Sequence, residues 1–332
     1  MGYRLAIYRE SHYPMPIGWH PAANDPDEFM PPINPQLKQA TNLIFLQVAA
    51  IYLLVAVVAW LVSMLEPGPN PTFVVGSLMA WSIIGWCQFA LFNALHEGLH
   101  NRFGSPHHNL LCYALTAYPM GFDESYRRVH LDHHKYFGDP ERDPDFPNYG
   151  NFPRTRRAFL MRLLLNLCGW YALLQFLGLR QNPMEAEKQH PGTTARGSMI
   201  KVLATQGMLV LLFSVSIGWF YYFWMWLIPL VTFGKFFTST RAFCEHGSPD
   251  RVPVIRTITG PYLQEKILGI FCFNYHAEHH HSVGIPYHRL AQAHTLLENE
   301  LYHASRPSGA RYEHYDGGYV SLLLQWFRAL PA

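Results

Sequence analysis

The sequence predicts an all-α integral membrane protein, with four transmembrane helices in two hairpins and a cytoplasmic helical domain. Three observations carry that expectation. Apolar residues come in long uncharged blocks, Lys and Arg avoid the short links between those blocks, and histidines recur in groups at helical spacing.

Of the 332 residues, only 14% are charged, while 15% are aromatic. Residues 43–65 (LIFLQVAAIYLLVAVVAWLVSML) and 73–95 (FVVGSLMAWSIIGWCQFALFNAL) carry no charge at all. At about 1.5 Å per residue, each run reaches roughly 35 Å, enough to cross a hydrocarbon core of about 30 Å. The link EPGPNPT is rich in helix breakers and reads as a tight turn, so 43–95 forms the first hairpin. The apolar block 202–237 is too long for one crossing and, split near Gly218, forms the second hairpin.

Charge placement orients these hairpins. The 25 Lys and Arg fall as 3 before residue 43, 13 within 96–201 and 9 from residue 235 onward. Basic residues favour the cytoplasmic side of a membrane. Segments 1–42, 96–201 and 238–332 are therefore expected in the cytoplasm, both termini included. The alternative, a large soluble protein with buried core helices, fits poorly with two uncharged runs of this length. Shorter apolar stretches at 109–122 and 159–179 are expected to lie along the cytoplasmic face or within the cytosolic domain. The second carries Arg162, and its crossing would place the histidine groups on opposite sides. Trp219, Tyr221, Tyr222 and Trp224 read as an aromatic belt at the outer interface.

Several function classes find no support. The charged start MGYRLAIYRE lacks the apolar core of a cleavable signal peptide. The five cysteines, at 87, 112, 168, 244 and 272, show no CxxC spacing. Neither a GxGxxG nor a P-loop occurs, and the basic residues are interspersed with almost as many acids, which argues against nucleic-acid binding.

The chain carries 19 histidines. His96 and His100 stand in HEGLH, His130, His133 and His134 in HLDHH, and His276, His279 and His280 in HAEHH. On a helix, positions i, i+3 and i+4 share one face, so each group presents its imidazoles together. His281 lies off that face. Each group falls on the expected cytoplasmic side, where the three can converge. Imidazole suits iron, copper, zinc and nickel, and eight ligands exceed the needs of one ion, so a di-metal site is implied. HEGLH also matches the H-E-x-x-H of zinc proteases; the motif alone does not exclude one, but a single zinc leaves six histidines without use. Glu97, Asp132, Glu245 and Glu278, in or beside these groups, are candidate carboxylates for orienting metal-bound histidines. Asp139, Asp143 and Asp145 read as helix caps or as part of a docking face for an electron donor. His107 and His108 read as loop residues, and His288 and His294 as structural.

HEGLH, HLDHH and HAEHH resemble the three histidine boxes of the membrane fatty acid desaturase and hydroxylase superfamily. The resemblance extends to GDPERDPDF, RAFCEHG and GIPYHRL, and runs from about residue 90 to 300. It implies a non-haem di-iron centre using O2 as co-substrate, a lipid or acyl-chain substrate, and a separate electron donor of ferredoxin or cytochrome b5 type. It also implies His246, in CEHG, as a ninth ligand. Ala242 stands where some members carry an asparagine that acts through water, so that role is absent or moved. Within the superfamily the expected reaction is introduction of a double bond. Hydroxylation, ketolation or alkene formation are alternatives on the same scaffold, and a membrane zinc hydrolase is the non-redox alternative. The QHPGT run at 189–193 resembles the haem-binding motif of cytochrome b5, but no domain-sized segment surrounds it.

Overall fold

The computed structural model describes residues 35–103, 105–177, 195–302 and 309–332. Most of segment 1–42 and the QHPGT run lie outside the described residues. Among the described residues the protein is mostly helical, with one pair of short strands.

Helix α1 (Pro35–Ser63) and helix α2 (Pro71–Leu99) pack against each other. The breaker-rich link ends where the Asn70 side chain accepts a hydrogen bond from the amide of Phe73, with Pro71 opening the first turn. This is the cap chemistry that starts a helix sharply. Helix α3 (Tyr126–Tyr136) carries HLDHH, and helix α4 (Ala195–Ser216) begins the second apolar block. Among the described residues, three helical stretches are long and apolar enough to cross a membrane: Lys38–Ser63, Pro71–Leu99 and Met199–Ser216. Leu46, Leu53, Leu203, Leu211 and Val215 are each more than half exposed, an outward apolar surface of the kind lipid covers.

The second half of the apolar block 202–237 differs in form from a regular helix. The chain is helical from Phe220 but passes through wider π turns at Phe223–Leu227 and Leu230–Gly234 before helix α5 (Lys235–His246). Pro229 has no amide to give to the helical ladder, which suits the change of winding there. The expected aromatic belt also divides. Trp219 is 64% exposed, whereas Tyr221 and Tyr222 are buried, and the Tyr222 hydroxyl donates to Gln206 Oε1 at 2.6 Å. Stretch 159–179 is helical over Arg156–Leu167 and Trp170–Phe176, bent by 66° about Gly169, whose φ is 75°.

Helix α2 is the central element. A Cβ at Gly85 would stand 2.4 Å from the Cβ of Phe233, so the two backbones approach closely. Gln88 Nε2 donates to the Trp226 carbonyl at 2.8 Å, and Trp226 Nε1 to the Pro119 carbonyl at 2.9 Å. These bonds use buried polar groups to tie both hairpins to the 113–120 turns.

The C-terminal part is organised around strand β1 (Val254–Ile258), buried along its whole length and paired in parallel with β2 (Arg311–Tyr315). The Ile258 amide donates to the Asn274 carbonyl at 2.9 Å, fixing the chain as it enters helix α6 (His276–His281), the HAEHH helix. Phe271 and Cys272, with φ of 60° and 59°, turn the backbone just before it. Helix α7 (Leu290–Leu301) covers α6, and helix α8 (Gly318–Ala329) packs near α5.

Candidate metal centre

Helices α2, α3, α5 and α6 bring the nine expected histidines into one cluster beside the C-terminal end of α2. Ring nitrogens of His96, His100, His130, His134 and His279 lie within 4.8 Å of one another, and so do those of His133, His246 and His280. His276 joins the second group, its Nε2 2.9 Å from Nε2 of His246. The rings of His134 and His280, 4.2 Å apart, connect the two groups. HLDHH and HAEHH therefore straddle the cluster. His130 and His134 serve one group and His133 the other, while His279 is separated from His276 and His280 in the same way.

Nitrogen faces nitrogen throughout. His100 and His130 approach Nε2 to Nε2 at 2.8 Å, His134 and His130 at 3.0 Å, and His279 and His134 at 3.1 Å. Neither ring nitrogen of His96 has a hydrogen-bond partner although the residue is buried. Orphaned buried nitrogens are costly unless something else satisfies them. Imidazole is a donor for transition-metal ions, and the two groups of histidines could each hold one.

Supporting groups fix the rings from behind. His133 Nδ1 lies 2.9 Å from Asp143 Oδ1. Asp143 is buried and also accepts from the Tyr149 hydroxyl and from the Gly138 amide at 3.1 Å. His246 Nδ1 faces the Val254 carbonyl at 3.4 Å. In each case the outer nitrogen is occupied and Nε2 points inward, the usual way of orienting a metal-binding histidine. His246 also stands at the end of α5, where a cation would be favourable. That role belongs to Arg256, whose Nη1 donates to the Cys244 and Gly247 carbonyls at 2.5 and 3.2 Å.

The four carboxylates named from sequence differ in placement. Glu97 Oε2 accepts from the Tyr287 amide at 3.3 Å, joining α2 to the segment after α6. Glu245 is fully buried, with Oε2 3.7 Å from His276 Nε2; burial pushes its carboxyl up to about 7, opposed by Arg241 and Tyr319. Glu278 turns away from the cluster to accept from Thr257, from Tyr302 at 2.7 Å and from His294 at 2.7 Å, pinning α6 to β1 and α7. Asp132 is half-buried near Lys135 and Arg128 and makes no hydrogen bond to the nine histidines among the described residues. Asp143 is the residue that sequence reasoning assigned elsewhere, as a cap or docking group. Its ten-residue separation from His133 carries no periodic signal.

Among the described residues, the histidines outside these nine do not join the cluster. His281 packs its ring against Tyr312 at 6.0 Å. His108 lies on a short helix, Pro106–Cys112, and its Nδ1 is 2.8 Å from the Ser105 hydroxyl that caps it. His294 serves Glu278.

Burial holds seven of the cluster histidines neutral. His100, His130, His134, His246, His276 and His280 are held well below the ordinary imidazole range, chiefly by loss of water, and His279 is lowered to about 3. In the unfolded chain such groups bind protons below about pH 6.5. Below that value the unfolded state binds more protons, so each depressed histidine removes up to about 1.4 kcal/mol of stability per pH unit. Their stability contribution is intact above pH 6.5 and lost as pH falls toward the folded values. Metal-free protein should accordingly lose about 10 °C or more of thermal midpoint between pH 7 and pH 5. A midpoint that stays flat across this range in a detergent-based thermal scan would contradict the buried neutral cluster.

The fold and the cluster define a class: a helical membrane protein with a polyhistidine metal centre. Comparison with known proteins places it more closely. The family model described as Fatty acid desaturase matches residues 71–312, and the chain belongs to that family. A dihydrorhizobitoxine desaturase of Bradyrhizobium elkanii is 28% identical over 239 residues, 65% of this chain and 66% of its own length, just under two thirds. A sphingolipid delta(4)-desaturase DES1-like protein of Oryza sativa subsp. japonica is 26% identical over 266 residues, 77% of this chain and 74% of its own length. Membership in this family makes the protein an oxidoreductase.

Proposed function

We propose that this chain is an O2-dependent di-iron desaturase that introduces a double bond into a lipid acyl or alkyl chain. The observation that carries the reading is the pair of buried imidazole groups, five and four histidines with their nitrogens turned inward. His96, His100, His130, His134 and His279 would hold one ion, and His133, His246, His276 and His280 the other. Two irons, when bound, supply the O2-derived oxidant that breaking an unactivated C–H bond requires and that protein acids and bases cannot provide. Overall, –CH2–CH2– with O2, two electrons and two protons gives –CH=CH– and two waters. The electrons come from a separate protein of ferredoxin or cytochrome b5 type. Asp143 and the Val254 carbonyl hold the outer nitrogens of His133 and His246, so the centre is preorganised. Burial keeps the imidazoles unprotonated and excludes bulk water. Both relatives are named as desaturases, which favours desaturation over hydroxylation on the same scaffold.

Metal analysis tests the reading: purified protein should contain two irons per chain and lose activity without O2. Zinc alone, with activity unaffected by removing O2, would replace it with the hydrolase alternative.

The topology proposed with this function has four spans, the fourth being the π-wound return helix, and both termini in the cytoplasm. In a cysteine-free background, Pro69→Cys should label from outside, and Asn151→Cys and Asp316→Cys from inside; all three positions are exposed. Labelling of 151 and 316 from opposite faces would contradict it.

A further inference from the structure

The two halves of the histidine cluster are unequal. One has five imidazoles within reach of each other; the other has three, which His276 joins through its contact with His246. Beside the poorer half stands Glu245, which follows from neither the box spacing nor any helix-capping role. It is fully buried on α5, directly before His246. Its Oε1 accepts from the Tyr319 hydroxyl of α8 at 3.1 Å. Its Oε2 makes no hydrogen bond and lies 3.7 Å from His276 Nε2, the same nitrogen that faces His246 Nε2 at 2.9 Å. This placement differs from that of Asp143, whose carboxylate sits on the outer Nδ1 of its histidine. Glu245 approaches the inward side.

Resting on the di-metal reading above, we infer that Glu245 is a tenth protein ligand, giving a carboxylate oxygen to the ion held by His133, His246, His276 and His280. Each half of the centre then has five protein donors. The chemistry of the neighbourhood favours this. Buried neutral imidazoles bring no negative charge to a pair of divalent cations, and Arg241 adds a positive one: its Nε is 3.2 Å from Glu245 Oε2 while its Nη1 donates to Asn93 Oδ1 at 2.7 Å. A carboxylate has lone pairs enough to face the guanidinium on one side and a metal on the other. Carboxylate is also a harder donor than imidazole, so the two ions become chemically distinct.

The test uses full-length protein loaded with 57Fe and purified in detergent, read by iron content and Mössbauer spectroscopy rather than by turnover. The variants are Glu245→Gln, which keeps size and a hydrogen-bond acceptor for Tyr319, and Glu245→Asp, which keeps the charge facing Arg241 but withdraws the oxygen. Wild type should give two iron environments of equal area. In both variants one environment should shift or be lost while the other stays. The inference is overturned if Glu245→Gln leaves both environments and the iron count unchanged. It is overturned equally if Glu245→Asp matches wild type while Glu245→Gln does not, since that assigns Glu245 to neutralising Arg241. Loss of the whole centre from both variants overturns it in favour of a packing role. Wild type without two irons overturns the di-metal reading itself, a different failure from an unchanged Glu245→Gln spectrum.

Discussion

His246→Ala is expected to halve bound iron and to lower turnover by more than about a hundredfold, since loss of a mere supporting partner of a metal ligand already costs about 10–100-fold. His246 is the one proposed ligand outside the three boxes. It is buried, its Nε2 faces that of His276 at 2.9 Å, and its ring lies edge-on, with centroids 5.1 Å apart, to those of His133 and His280. The carbonyls at its helix end are satisfied by Arg256, so its removal leaves α5 capped. The variant should therefore extract from membranes as a monodisperse protein. His108→Ala is the control, because its ring nitrogen is bonded to Ser105 away from the cluster; it should keep both iron and turnover. Two irons and near-normal turnover in His246→Ala would shrink the site to the eight box histidines.

Asp143→Ala should have the next largest effect, on metal retention and stability together. Four donors, His133 Nδ1, the Tyr149 hydroxyl and the Gly138 and Asp145 amides, converge on this one buried carboxylate. Each donor left unsatisfied costs about 1–3 kcal/mol, and a metal-binding histidine without its orienting carboxylate loses about 10–100-fold in affinity. Asp143→Asn keeps an acceptor oxygen and the volume, so it should weaken iron retention while sparing more of the thermal stability. Competition with a chelator, followed by iron analysis, separates the two. Wild-type retention in Asp143→Ala would remove Asp143 from the centre.

The parts of this structure that were legible in the sequence are those with a local period. Uncharged runs mark α1, α2 and α4, and the i, i+3, i+4 spacing marks all eight box histidines. His246 carried no period and was reached through resemblance alone. What escaped depends on contacts between elements. That HLDHH and HAEHH each feed both halves of the cluster follows from how α2, α3, α5 and α6 come together, which spacing within one helix does not encode. Asp143 reaches His133 only because the chain reverses after Gly138. Tyr221 and Tyr222 look like interfacial aromatics from composition, yet they pack inward because Gln206 on α4 offers the Tyr222 hydroxyl a partner. The π winding after Phe223 has no pattern that distinguishes it from an α-helical span.

The central claim is that the buried histidines serve the oxidation of a lipid chain to an alkene. Its most direct test is mass spectrometry of total lipids from matched cells expressing wild type or His246→Ala. Wild-type cells should accumulate acyl or alkyl chains lighter by two hydrogens than their precursors, and the variant cells should not. New products heavier by one oxygen in wild-type cells, with none lighter by two hydrogens, would contradict desaturation and leave hydroxylation as the activity.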